Sequence, residues 1–345
     1  MRISNKLSLW VIFALVSIAF NAQSATNEFT AKLLTSEFIY ETAPFPSCHA
    51  STIVETKEGF LAAWFGGTDE SNPDVCIYTS RLLKGKWSVP EQAADGIQNE
   101  NLRYPCWNPV LFQRDNGDII LYYKVGPNPR EWWGMYKISK NQGKSWSEAS
   151  RIPGLLLGPI KNKPQRLTNR TILYPTSIET RQSWNVYMET SNQELTNWEK
   201  ISIDNNGLNA IQPTILFHKD GSLQILCRSK EKKIVESWSN DQGKTWTPLQ
   251  QTNLPNNNSG IDAVTLKNGT HLLICNPIEK GRNKLAVLYS EDGKNWTDLI
   301  VLEDLPKGEF SYPAIIEAED GTVHITYTWN REKIRYVQIR LKDQG

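Results

Sequence analysis

Short apolar runs alternate with polar clusters built around Gly along almost the whole chain, the pattern of strands joined by tight turns. The repeating unit is an apolar strand, a turn such as Arg114-Asp115-Asn116-Gly117, Lys219-Asp220-Gly221 or Lys267-Asn268-Gly269, and a second apolar strand. A third strand follows and runs into a longer polar turn that ends in Trp. Three of these longer turns are near copies: Ser139 to Trp146, Ser239 to Trp246 and Ser290 to Trp296. Each carries an Asn/Asp and Gly core, Asn/Asp-x-Gly in the first two and Asp292-Gly293 in the third, where Gly supplies a positive φ, and a Trp able to pin the turn to its sheet. Weaker copies stand at Leu83 to Trp87 and Ser191 to Trp198, so the terminal Trp residues fall at 87, 146, 198, 246 and 296.

A period of about fifty residues predicts one four-stranded sheet per repeat, set radially as the blades of a propeller. A sixth unit, Tyr312 to Leu341 around Glu319-Asp320-Gly321, offers three strands and no Trp turn. The early strand Phe38 to Thr42 is expected to supply its fourth strand and close the ring. The expectation is an all-β, six-bladed β-propeller running as a single domain over 25–345.

Residues 1–24 have Arg2 and Lys6, an apolar run from Leu7 to Phe20, and small residues at Ala22 and Ser24, the pattern of a secretory leader rather than a membrane span. The expected compartment is periplasmic or extracellular. Without Arg2 and Lys6 the count of 38 basic against 37 acidic residues becomes 36 against 37, which gives no basis for nucleic-acid or anionic-membrane binding. The five Cys, at 48, 76, 106, 227 and 275, show no metal-type spacing. They read as buried single thiols, with a Cys48–Cys106 bridge as the other possibility. No metal or cofactor is expected, and the chain is expected to be a monomer.

The long Trp turns are structural. Chemistry is expected where the innermost strands begin, because all blades bring that end to the axis on one face. Counting back from the Gly of each first turn finds His49 ten residues before Gly59, and Asn108, Gln212 and Tyr312 nine before Gly117, Gly221 and Gly321. The corresponding stretches elsewhere are Gly158 to Pro164, with Lys161 and Lys163, and Asn258 to Asp262, with Ser259. Buried strands ordinarily start with Val, Ile or Leu, so a polar ring here marks either a ligand site or solvated strand ends. His218, His271 and His324 sit beside turns and read as structural or solvent-facing, with His218 exposed. Trp64, Trp107, Trp132, Trp133 and Trp329 are either core residues or rim platforms, and Trp107, beside Asn108, is the best rim candidate.

The Trp turns are Asp-boxes, and with them the chain resembles the sialidase-type propellers. It is similar throughout to bacterial proteins labelled predicted neuraminidases, through Cys48 to Ile53, Pro105 to Val110 and Ser311-Tyr312-Pro313. In sialidases three Arg hold the substrate carboxylate, a Tyr paired with a Glu is the nucleophile, and an Asp is the acid/base. Gly308 to Tyr312 resembles the segment of the nucleophilic Tyr, Leu226-Cys227-Arg228 that of the second Arg, and Gly281 to Leu285, with Arg282, that of the third. Pro44-Phe45-Pro46 stands where the first Arg would be, and Gln212 stands in place of the Glu. Asp69 and Asp74 are both candidates for the acid/base.

The resemblance therefore implies an acidic-sugar site with altered chemistry. Arg228 and Arg282, with Lys161 or Lys163, are expected to hold a carboxylate, since a guanidinium fork matches it in a bidentate manner. Gln212, Asn108, Trp107, Asp69 and Ser259 are the further substrate-binding candidates, and Glu70 and Glu309 are candidates for binding sugar hydroxyls. His49 and Tyr312 are expected to share base and acid roles in β-elimination at a terminal uronic acid, as in several propeller lyases. An exo-sialidase using Tyr312 and Asp69 and a non-catalytic glycan-binding propeller are the alternatives.

Overall fold

The computed structural model describes residues 29–342; the leader read from 1–24 lies outside them. Six antiparallel blade sheets follow one another along the chain, with a small two-stranded sheet, Ile97–Asn99 and Leu102–Arg103, between the first and second, and no helix is assigned among the described residues. The innermost strands are Ser47–Thr56, Cys106–Gln113, Gln165–Arg166, Ala210–Phe217, Asp262–Thr265 and Phe310–Glu317. Each blade then steps outward through its hairpins, as the repeat requires.

The ring closes through an N-terminal strand, but not the one expected. Thr30–Phe38 pairs antiparallel with Lys333–Lys342, from Thr30 opposite Lys342 to Phe38 opposite Arg335. Its sequence, TAKLLTSEF, is that of a half-exposed edge strand whose Leu33 and Leu34 face solvent, so hydrophobic pattern hides it. The residues that looked like the strand, among them Ile39 and Tyr40, leave the sheet and bury with Phe45 between the last blade and the first.

The Asp-boxes join third and fourth strands and work as one device. The first Ser of each box accepts the Gly N–H at 2.9 Å: Ser139 from Gly143, Ser239 from Gly243 and Ser290 from Gly293. Trp246 and Trp296 donate their indole N–H to the same Gly carbonyls at 3.0 Å. In the weak box Trp198 does so to Leu195, which takes the left-handed φ of 61° that Gly holds elsewhere. The box glycines of the second and fourth blades lie against Leu61 and Leu173 of the blade before, so each turn also seals a seam between blades. In the third blade, which lacks the hairpin Gly, Arg170 takes the positive φ.

Polar groups stitch the axis. The Asp262 carboxylate, 2 % exposed, receives Lys163 Nζ at 3.0 and 2.8 Å, the Thr214 hydroxyl at 2.9 Å and the Ile315 amide at 3.0 Å. One side chain of the fifth blade thus ties the third, fourth and sixth. Beside it the Lys161 ammonium donates to Asn162 Oδ1, to the Ile261 carbonyl and to the Pro313 carbonyl, while Asn162 donates to the carbonyls of Gln212 and Pro213. Burial pulls the Lys161 pKa down to about 7 against the pull of Asp262. Its three oxygen partners nonetheless match the three N–H of the charged form.

All five Cys are free and buried, so there is no Cys48–Cys106 bridge; Cys48 Sγ instead accepts the Tyr40 hydroxyl at 3.0 Å. Removing one partner of a buried ion pair strands the other, at a cost of about 3–5 kcal/mol. Asp262→Ala is therefore expected to lower unfolding stability by that order in denaturant titration. A loss below about 1 kcal/mol would contradict the role of Asp262 as the axial tie.

Candidate active site at the propeller axis

The innermost strands share a local distortion that aims the site. Their ladders slip between His49 and Thr52, between Ile211 and Thr214, and between Ser311 and Ala314, and the strand Cys106–Gln113 slips likewise. At these bulges Ala50, Asn108, Gln212 and Tyr312 have φ of 58°, 37°, 57° and 51°. A bulge re-aims one side chain, and a left-handed conformation at a residue as large as Tyr is strained, a condition that concentrates at functional sites. The member of this set in the first blade is Ala50. His49 stands one residue earlier, which is why its count to the turn was ten and not nine.

Tyr312 is the centre of the cluster. Its hydroxyl oxygen receives Arg228 Nη1 at 2.8 Å and Gln212 Nε2 at 3.3 Å. Arg228 Nη1 also donates to Gln212 Oε1 at 3.3 Å, and Arg228 Nε to Asn258 Oδ1 at 2.9 Å. The guanidinium therefore fixes the amide of Gln212 with its oxygen toward Arg228 and its NH₂ toward Tyr312. The His49 ring packs on Tyr312 with centroids 4.1 Å apart, and Arg282 lies over the same phenol ring at 5.9 Å. Gly260 permits this packing, because a Cβ there would lie 3.2 Å from the Tyr312 ring. His49 is buried to 1 % exposure; burial and then Arg331, Arg282, Arg228 and Lys161 hold its pKa well below the usual imidazole range.

Arg331 completes a set of three guanidinium groups and was not among the residues expected from the sequence. It sits in the turn Asn330-Arg331 after the strand Val323–Trp329, both residues having positive φ, 51° and 60°. Such turns favour Asn-Gly. An Arg in the second place is conformationally costly, and that was the signal in the sequence. Glu309 Oε1 receives Arg282 Nη1 and Arg331 Nε, each at 2.8 Å, and Arg331 also pairs with Glu70. Burial raises the Glu309 pKa, but Arg331 and Arg282 outweigh it and leave it below the usual carboxylate range. Both carboxylates expected to bind hydroxyls are thus counter-charges to the arginines.

Other expected residues make no hydrogen bond to the Tyr312 hydroxyl. Lys163 is committed to Asp262, and Lys161 to the axial carbonyls, so neither has a free donor for a ligand carboxylate. Trp107 is no rim platform: it is 3 % exposed, packs on Trp132 and donates its indole N–H to the Gly126 carbonyl at 2.9 Å. Asn108 is 5 % exposed, and Ser259 is buried with no partner for its hydroxyl among the described residues. Asp69 is exposed on a loop beside Glu70, whose amide it accepts at 2.8 Å; that loop reaches the site through the Glu70–Arg331 pair. His218, expected to be exposed, is half-buried and bonded to Gln224, while His271 and His324 are buried with hydroxyl partners. Trp184, which the Asp-box count passed over, lies under Arg228 at 5.6 Å and Lys230 at 4.2 Å at the edge of the cluster. Among the described residues no group of three or more His, Cys, Asp and Glu is arranged to hold a metal ion.

Six blades, five of them carrying a strong or weak Asp-box, around an axial Tyr and three Arg define a propeller of the sialidase type. The BNR repeat-like domain model matches residues 58–325, and the chain belongs to that family. Solved structures agree on the fold. A protein of unknown function from Dyadobacter fermentans superposes with a TM-score of 0.73 at 15% identity, covering 90% of this chain and 99% of that one. The NanB sialidase from Streptococcus pneumoniae gives 0.68 at 14% identity, covering 89% and 70%. The intramolecular trans-sialidase from Ruminococcus gnavus gives 0.68 at 13%, covering 88% and 97%. No curated protein matches the sequence.

A charge-assisted hydrogen bond contributes about 1.5–3 kcal/mol, or roughly tenfold or more in affinity. Arg331→Ala is accordingly expected to weaken binding of glucuronate by at least that factor in calorimetric titration. An unchanged Kd would remove Arg331 from the ligand site.

Proposed function

We propose that this protein is a carbohydrate-active enzyme that acts in the periplasm or outside the cell on the non-reducing end of acidic oligosaccharides, by β-elimination at a terminal uronic acid. Three guanidinium groups suit one carboxylate, and neutralising the C6 carboxylate of a uronate acidifies the C5 proton. Removal of that proton sends the C5–H electron pair into a C4–C5 double bond. The C4–O4 bond breaks, and O4 leaves with a proton as water or as a sugar hydroxyl.

The observation that carries this reading is that the Tyr312 oxygen faces donors only. A Tyr nucleophile of the sialidase kind relies on a carboxylate that accepts its proton. Gln212, turned by Arg228 so that its NH₂ points at the phenol, cannot accept one. Elimination needs no covalent intermediate and is compatible with this arrangement. The exo-sialidase reading draws support from Asp69, on the loop that Glu70 brings to Arg331.

The test is continuous ultraviolet absorbance of the double bond conjugated to the carboxylate, during incubation with oligosaccharides ending in glucuronic or iduronic acid. Wild-type protein is expected to produce the rise, and Tyr312→Phe to reduce it at least a hundredfold. Gln212→Glu separates the two readings, because it installs the missing acceptor. Elimination predicts a loss of turnover of about a hundredfold in that variant. A flat uronate trace, with sialic acid released faster by Gln212→Glu than by wild type, would overturn the proposal in favour of the sialidase.

A further inference from the structure

The hydrogen-bond inventory around His49 distinguishes its two nitrogens. The Thr328 hydroxyl, 0 % exposed, lies 3.0 Å from His49 Nδ1 and accepts the Ala50 amide at 3.2 Å. A hydroxyl has a single hydrogen to give. Were Nδ1 protonated, the Thr328 oxygen would receive two donors and its own hydrogen would be buried with no acceptor. With Nδ1 bare, Thr328 donates to it and accepts from Ala50, and the one hydrogen left without an acceptor is the ring's own. The imidazole hydrogen then belongs on Nε2, at the opposite edge of the ring. His49 Nε2 is buried and has no partner among the described residues.

A buried N–H without a partner costs about 1–3 kcal/mol, so a site that retains one marks where another molecule's acceptor belongs. The ring sits between Tyr312, at 4.1 Å, and Phe65, at 5.7 Å, with Arg331, Arg282, Arg228 and Lys161 as its charged surroundings. Four cations and burial keep it uncharged. A neutral imidazole that released its Nε2 proton would become an anion, so this group is a hydrogen-bond donor and not a source of protons. Of the pair His49 and Tyr312, only Tyr312 is then left to carry the proton.

We infer that Tyr312 alone moves the proton of the elimination, while His49, held as the Nε2–H tautomer by Thr328, donates a hydrogen bond to a substrate oxygen. The role of Tyr312 rests on the elimination reading; the state of His49 does not. In balanced form, the Tyr312 phenolate takes the C5 proton as the C5–H pair becomes the C4–C5 double bond. The C4–O4 pair departs with O4, and the newly formed phenol gives the same proton to O4, which restores the phenolate. No oxidant, reductant or second acid is needed. Arg228 and Gln212 donate to the Tyr312 oxygen throughout, and Thr328 is a positioning residue.

The experiment is long-range ¹H–¹⁵N correlation on protein labelled with ¹⁵N-histidine at pH 7. The chain has four His, and the His49 signals are those lost in His49→Ala. The expected result is a neutral ring with hydrogen on Nε2 in wild type and in Thr328→Ser. In Thr328→Val, which has no hydroxyl to give, the Nε2–H form is expected to lose its dominance and kcat for uronate elimination to fall at least tenfold, with Thr328→Ser near wild type. An imidazolium or an Nδ1–H tautomer in the wild-type spectrum overturns the assignment, even if elimination is observed and even if Thr328→Val does not fold. An Nε2–H signal in a protein with no elimination activity would overturn the Tyr312 shuttle together with the proposed reaction.

Discussion

One buried carboxylate has a hold on four of the six blades. A propeller is a ring of sheets in which each contacts only its neighbours, so its axis is the place where a register error in any blade would accumulate. Asp262 answers this by taking Lys163, Thr214 and Ile315 onto one group, and Lys161 and Asn162 extend the web to the Gln212, Pro213 and Pro313 carbonyls. Charge buried this deep is tolerated because every oxygen and every N–H has a partner. The consequence for function is positional. Gln212 and Tyr312 belong to the very segments whose carbonyls the web grips, so the two side chains that meet above it are fixed relative to each other.

On this foundation the strands bear strain at chosen points. Asn108, Gln212 and Tyr312 each occupy a left-handed position and each precede Pro, whose ring restricts the residue before it. Arg331 is held in the same way by its turn. These conformations are unfavourable for the residues concerned, and packing around them must over-determine them. The site also pairs its charges: Arg282 and Arg331 share Glu309, Arg331 adds Glu70, and Arg228 has Tyr312, Gln212 and Asn258. Whatever anion enters competes with carboxylates already in place, which favours a ligand that engages several of these cations at once.

The repeat was legible because its signal is chemical and periodic. The Asn/Asp and Gly turns and their Trp residues specify the Asp-box geometry, and counting back from the hairpin glycines reached Gln212 and Tyr312 directly. What stayed hidden was non-local or non-periodic. The closing strand Thr30–Phe38 is an edge with solvent-facing Leu, so it carries no core pattern. Lys161 and Lys163 stand at the right height on the axis, but sequence does not reveal that Asp262 and three oxygen acceptors consume their donors. Trp107 looked like a platform because its burial depends on Trp132, Leu157 and Ile160, which come from elsewhere in the chain. Arg331 was visible only as a misfit in a tight turn, and Thr328 gave no signal, since its role depends on the single hydrogen it can give to His49.

The central proposal is chemical: we propose that an axial Tyr facing donors only, with a neutral His beside it, serves elimination and not hydrolysis. The most direct measurement is the mass balance of a complete reaction on a uronate-terminated oligosaccharide, read by mass spectrometry of all sugar products. Elimination predicts sugar products whose masses sum to that of the substrate, or to one water less when O4 is free. Products that together outweigh the substrate by one water would mean that a water molecule has been added across the bond, and would contradict the account.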